Sequence, residues 1–467
     1  MKRPSKRFRW IAIAVLVLIG GAGYFVMTQI APIGTAYTAK RMCSCVFLSH
    51  REAASVLAEE LKPYGYVNLR VDPDRKTVTG SILGMAERTA VYREGLGCTL
   101  AVGINEVELL QQAMGFDTTR PDRGNLPWPD GNMVKNTHPP TSIDEMKLKS
   151  TMDWAFAEPD PAKLRRTRAV VVVYDGRIIA ERYAPGFTKD TPQLGWSMTK
   201  SVTNALVGIL VREGRLKVEA PAPVPEWQSP GDLRRAITLD QLMRMSSGLK
   251  FKEDYENPLS DVVRMLFAEA DAGAYAASGP LEVPSDSRWQ YSSGTANIIS
   301  RIVRQAAGSQ LDSFSFPRTA LFDRIGMTSA VIEPDPSGTF VGSSFMYATP
   351  RDWARFGLLC LNDGVWNGKR ILPKGWMKYS TTPTPRAPQG IYGAQFWLNA
   401  GSPGNPSDRW MPKVPGDMYS MRGFEGQYVS VIPSKKLVIV RLGLSRPEEN
   451  WDQEKLIAGI IEAVSGK

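Results

Sequence analysis

Apolar positions set the organisation of this chain before any motif is read. Residues 10–30 form an uninterrupted apolar run, long enough for one bilayer-spanning helix. Further on, residues 52–61 carry a short helical pattern, and residues 78–99 alternate in the manner of strands and turns. Residues 117–145 lose all periodicity and collect Pro121, Pro127, Pro129, Pro139 and Pro140, which marks a connector. The β-rich arms at 169–183 flank Asp175-Gly176, a strong hairpin-turn dipeptide. A second hairpin is predicted near the end, with strands 428–433 and 437–442 around Ser434-Lys435-Lys436, followed by a helix over 448–464. Between the hairpins the pattern is helical and loop-like. Strands at both ends with helices between predict an α+β fold: an antiparallel sheet in which the first and last strands meet, flanked by helices, with a mostly helical inserted subdomain. The expected divisions are 1–31 as a membrane or signal segment, 32–116 as a small N-terminal region, 117–145 as a Pro-rich connector, and 146–467 as the principal domain.

Charge adds direction to the first segment. The net charge is +10 over 467 residues. Lys2, Arg3, Lys6, Arg7 and Arg9 sit immediately before the apolar run and resist translocation, so the rest of the chain is expected outside the membrane. A single-pass anchor in the cytoplasmic membrane is the leading expectation. A cleaved signal, with small residues at Gly34 and Ala36 as the cut site, is the alternative. The remaining basic excess is mild, and no basic run interleaved with aromatics follows, so nucleic acid is not an expected partner. The four cysteines agree with export. Either Cys43 or Cys45 bridges Cys98, or all three are free thiols. Cys360, within an apolar helical stretch, reads as a core residue.

The chemistry is narrowed by what is missing. Only two histidines occur, His50 and His138, both before the principal domain. A Ser-His-Asp hydrolase would need an imidazole from outside that domain, and the Gly-x-Ser-x-Gly elbow is absent. Metal-ligand spacing is absent as well, and Cys-x-Cys with one distant cysteine makes a poor zinc site. No Walker loop or dinucleotide fingerprint is present, so neither metal nor cofactor is expected. Lysine can take the place of histidine when its pKa is lowered, and Ser-x-x-Lys on a helix puts the two side chains on one face. The chain has two such pairs, Ser197/Lys200 and Ser247/Lys250. Ser197 opens a helical pattern of Val202, Leu206, Ile209 and Leu210 closed by Gly214, where its own amide can bind an oxyanion. Ser247 is followed by glycine and a polar loop, and its match reads as chance.

Gly-Trp-Ser-Met-Thr-Lys-Ser at 195–201 resembles the first motif of the serine β-lactamase and penicillin-binding-protein superfamily. Trp-Gln-Tyr-Ser-Ser-Gly at 289–294 resembles its second, Tyr-x-Asn. The stretches at 237–249 and 348–357 resemble structural signatures of the class C-like branch, and Arg-Gly-Phe-Glu-Gly-Gln at 422–427 stands where the third motif falls. The resemblance implies an acyl-enzyme on Ser197. Lys200 and Tyr291 would move the proton, and the amides of Ser197 and Phe424 would form the oxyanion hole. Two departures bear on substrate. Met421-Arg422-Gly423 replaces Lys-Thr-Gly, so the carboxylate-binding cation is missing or shifted by one, and Ser293 stands where asparagine is usual. These features are more similar to the esterases and to 6-aminohexanoate-dimer hydrolases, whose pattern implies substrate contacts from Tyr255, Ser293 and Gly423. A small ester or amide is the expected substrate. A D-alanyl-D-alanine carboxypeptidase or weak β-lactamase, and a non-catalytic peptidoglycan- or partner-binding protein, are the competing expectations.

Overall fold

The computed structural model describes residues 6–134 and 143–466. His138, Pro139 and Pro140 lie outside the described residues.

The N-terminus is one helical path that changes character halfway. Helix α1 (Lys6–Phe25) runs through a π-helical turn (Val26–Ile30) into α2 (Ala31–Cys43) and a second π-helical turn (Ser44–Leu48). Its apolar side chains from Ala14 to Val26 are exposed, with Leu18 at 72%, whereas Ala36, Ala39 and Cys43 are wholly buried. The segment Ala14–Leu48 is therefore a 35-residue helix that is apolar and bare at one end and built into the fold at the other. The expected cut site at Gly34 and Ala36 falls in the embedded half.

A four-stranded antiparallel sheet wraps α2: β1 (Asn68–Asp72), β2 (Thr77–Ile82), β3 (Met85–Arg93) and β4 (Gly97–Leu100). The helix predicted over 52–61 is shorter, Ala53–Ala58, and ends in a turn. Buried charge fastens this region to the rest of the chain. Lys40 pairs with the buried Glu333, whose carboxylate also accepts from the Ser44 hydroxyl and the Cys98 amide, both at 2.7 Å. Cys43 bonds Cys98, and Cys45 and Cys360 are buried free thiols.

Helix α3 (Glu145–Phe156), capped by Asp144, precedes the principal sheet. Its strands are β5 (Thr167–Tyr174), β6 (Arg177–Tyr183), β7 (Trp397–Leu398), β8 (Tyr419–Gly423), β9 (Gln427–Ile432) and β10 (Leu437–Gly443). The order is β7-β8-β9-β10-β5-β6, every pair antiparallel, so the first and last long strands meet as expected. The β5–β6 turn falls at Asp175-Gly176, with φ of 46° and 79° as a tight hairpin turn requires. Valines 170 to 173 are buried on both faces: 170 and 172 pack with α3 and the C-terminal helix, and 171 and 173 with the other helices. That C-terminal helix spans Gln453–Val464 rather than starting at 448, because Asp452 caps it by accepting from the Lys455 amide at 2.9 Å.

The Cys43–Cys98 bond closes a loop of sequence separation 55, for which chain entropy alone gives about 4 kcal/mol. Cys98→Ser should lower the thermal unfolding midpoint, and added reductant should lower the wild-type midpoint but not the variant's.

Candidate active site

Ser197 lies in a 3-10 turn (Trp196–Met198) that leads directly into helix α4 (Thr199–Arg212), buried from Thr199 to Leu210. Trp196 holds φ at 48°, a left-handed conformation that a bulky residue adopts at a cost of about 1 kcal/mol or more. Its indole Nε1 donates to Glu425 Oε2 at 2.9 Å, the Arg41 guanidinium lies 5.5 Å from the ring centroid, and the Phe424 ring packs edge-on at 5.7 Å. Burial alone would raise the Glu425 pKa, but Arg446 and Arg41 overcome it and hold the carboxyl below its usual range.

Three residues along the helix from Ser197, Lys200 is buried, 1% exposed. Its Nζ lies 2.9 Å from Ser197 Oγ, 3.0 Å from Ser293 Oγ and 3.0 Å from the Ser343 carbonyl oxygen. Desolvation pushes its pKa down to about 8, against the opposing pull of Glu253. The proton inventory then follows from the partners. Ser293 donates its hydroxyl to Glu253 Oε1 at 2.5 Å and its amide to Oε2 at 2.7 Å. With its proton committed, Ser293 Oγ can only accept from Lys200, and the Ser343 carbonyl can only accept. A neutral Lys200 thus spends both N–H bonds on those oxygens and turns its lone pair to the Ser197 hydroxyl. The arrangement can take a proton from Ser197.

Tyr291 precedes helix α5 (Ser293–Ala307), and its ring centroid lies 4.8 Å from Lys200 Nζ. It stands among Tyr392 and Trp397, the latter 5.2 Å away between centroids. The Tyr255 ring stacks on Phe424 at 5.5 Å and 9°, with its hydroxyl 3.4 Å from Ser293 Oγ. Gly423 ends β8 against the turn before Ser197: a Cβ there would meet the Gly195 carbonyl oxygen at 2.1 Å, so only glycine allows the approach that carries the Phe424 backbone to the site. The structure therefore brings Ser197, Lys200, Tyr291, Ser293, Tyr255, Gly423 and Phe424 together. Lys250, by contrast, is exposed and makes no pair with Ser247. Side chains alternate along β8: Met421 is fully buried on one face, and Arg422 lies on the other, 5.5 Å from the Trp397 and Trp410 ring centroids.

Glu253 was not singled out in the sequence, although it lies two residues before Tyr255. A surface-like Lys-Glu-Asp run gives no sign that one carboxylate turns inward. Ser343 contributes only a carbonyl, which no side-chain pattern reveals.

A serine and lysine at the start of one helix beneath an antiparallel sheet, with a tyrosine just before a neighbouring helix, are the arrangement of a serine hydrolase fold of the β-lactamase type. The β-lactamase family model matches residues 156–463, and the chain belongs to that family. It is similar to the 6-aminohexanoate-dimer hydrolase of Paenarthrobacter ureafaciens, 26% identical over 322 residues, which is 64% of this chain and 78% of that protein. In structure it is similar to a penicillin-binding-protein homologue of Caulobacter crescentus, with a TM-score of 0.50 at 16% identity over 71% of this chain and 100% of that one. It is also similar to a D-stereospecific amidohydrolase of Streptomyces, with a TM-score of 0.50 at 15% identity over 67% and 97%.

Glu253 raises the Lys200 pKa, so Glu253→Gln should move it below about 8. The pH dependence of Ser197 labelling by a fluorophosphonate checks this. The inflection should shift to lower pH, leaving the variant relatively more reactive on the acid side of its profile.

Proposed function

We propose that this protein is a serine hydrolase that cleaves small esters or amides through an acyl-enzyme on Ser197. The observation that carries the reading is Lys200 Nζ, buried and 2.9 Å from Ser197 Oγ, with a pKa brought to about 8. Ser197 Oγ attacks the substrate carbonyl carbon as Lys200 takes the hydroxyl proton. The carbonyl oxygen, now negative, accepts hydrogen bonds from the Ser197 and Phe424 amides. The proton passes by way of Lys200 and Tyr291 to the leaving nitrogen or oxygen, and the C–N or C–O bond breaks. Water then attacks the ester under the same base and frees Ser197.

The third motif supports small esters and amides over β-lactams. Where Lys-Thr-Gly would supply a cation for a substrate carboxylate, buried Met421 supplies none, and Arg422 is turned to the opposite face. Tyr255 and Ser293 would line the substrate side, with Gly423 giving room for it.

The reading places the catalytic region on the outer side of a membrane, held by the helix that includes residues 10–30. Continuity of that helix with the embedded α2 supports a retained anchor over a cleaved signal. The buried disulfide agrees with an oxidising compartment.

Intact mass spectrometry after mixing with a nitrophenyl ester, an aminohexanoate dimer and a penicillin tests the reading. A Ser197-dependent acyl adduct from the ester or dimer is expected, absent in Ser197→Ala. A long-lived adduct with penicillin alone would move the protein to the penicillin-binding class, and no adduct with any of the three would leave a binding role. Lys200→Ala should lower kcat/KM by about a hundredfold or more, the scale of a lost general base. In the wild type, kcat/KM should rise about tenfold per pH unit on the acid side and level off near pH 8 as Lys200 loses its proton.

A further inference from the structure

The β2–β3 hairpin carries a turn that folding alone does not explain. Ile82 pairs with Met85, leaving Leu83-Gly84 as a two-residue loop with φ of 52° and 72°. Such a loop favours Asn-Gly, because asparagine tolerates the left-handed region and a branched apolar side chain does not. Here the first position is leucine, 87% exposed, with Met85 beside it at 51%. Nothing from Thr77 to Ala86 is charged. An isolated exposed leucine is ordinary; its position along the N-terminal helix is not.

Strand β3 runs in the same direction as that helix. Tyr92 meets Phe47 at 5.9 Å between ring centroids, and the Ala86 carbonyl accepts from the Thr35 hydroxyl at 2.7 Å. Leu83 lies three residues before Ala86, roughly 10 Å back along the strand. On the helix, 10 Å is about seven residues, which puts the turn level with Thr28, inside the apolar stretch that ends at Ile30. The strand passes beside residues 26–30, where Met27 and Ile30 are partly covered. On the same side, Tyr66 is 63% exposed, with its hydroxyl by Gly34.

We propose that the Leu83-Gly84 turn is a membrane-docking element that enters the lipid interface beside the N-terminal helix. The bilayer then holds the protein at two points, and Tyr66 lies at headgroup level. The proposal rests on the anchored reading of the helix, and the occupant of the patch is lipid rather than another protein, because the patch is continuous with the apolar face of the span.

The test uses the full chain in phosphatidylcholine–phosphatidylglycerol vesicles. A polarity-sensitive fluorophore is placed on Leu83→Cys and, as reference, on Asp74→Cys, in the β1–β2 turn at the opposite end of the same sheet. The native cysteines do not compete, being buried or bonded to each other. A lipid-borne nitroxide should quench the label at 83 several-fold more than the label at 74, and aqueous iodide should do the reverse. Equal iodide quenching at both positions would overturn the docking element. Leu83→Asn suits the turn and should leave the thermal midpoint unchanged, while lipid quenching of a label on Met85→Cys falls; undiminished quenching there would also overturn it. Alkaline carbonate tests the anchor separately: release of the chain refutes the anchored reading, whereas the quenching pattern decides the turn.

Discussion

The direction of one hydroxyl controls the candidate site. Ser293 must donate to Glu253, because a carboxylate can only accept, and this fixes Ser293 Oγ as an acceptor towards Lys200. The Ser343 carbonyl fixes a second direction. Lys200 is thereby held so that its remaining valence meets Ser197, and burial brings its pKa down to about 8, so that valence becomes a lone pair as the pH rises through that value. Had Ser293 been free to rotate, a neutral amine could have donated to Ser197 and lost its use as a base. The glutamate works through the serine. It also raises the Lys200 pKa, so it orients the amine and strengthens it as a base while lowering the fraction that is unprotonated at neutral pH.

A second buried carboxylate ties the N-terminal region to the same centre. Glu425 receives Arg41 from α2, Arg446 from beyond β10, and the Trp196 indole from the turn before Ser197. Removing one partner of such a buried set typically costs about 3 to 5 kcal/mol, because the charges left behind stay out of water. The strained φ of Trp196 persists because these contacts over-determine it. Residues 31–48 thus help to shape the turn that carries Ser197; with Lys40 on Glu333 and Cys43 on Cys98, three fastenings lie within four residues of one helix.

What could be read from the sequence was what depends on local pattern. Asp175-Gly176 marked its hairpin, strands at both ends of the principal domain with helices between gave the meeting of β5 and β10, and ordered motifs singled out Ser197, Lys200 and Tyr291, which the fold brings close together. The C-terminal helix was set too early because the pattern continues through 448–451, while capping by Asp452 starts it at Gln453. The partners of Lys200 were hidden for a different reason. Glu253 sits in a run that looks solvated, and its inward turn depends on Ser293, which is distant in sequence and supplies both an amide and a hydroxyl to it. The sequence left Cys43 and Cys45 equivalent; the helix turns Cys43 to β4 and leaves Cys45 buried as a thiol. Whether the third-motif cation was lost or displaced depended on strand phase, which fixes only once β8 pairs with β9.

The continuous helix also bears on what can reach Ser197. Arg41, which touches Glu425 beside the catalytic turn, lies eleven residues past Ile30, about 16 Å along the helix axis. Headgroups extend roughly 5 to 8 Å beyond the hydrocarbon on each side of a bilayer. On the anchored reading, with the helix upright and no flexible linker between span and fold, the centre stands about 10 Å above the headgroups, in water. An anchor of this length holds the site near the membrane without dipping it into lipid. A water-soluble ester or amide meets that geometry better than one buried in acyl chains, and a second contact at the β2–β3 turn would resist the tilting that would otherwise bring the site down.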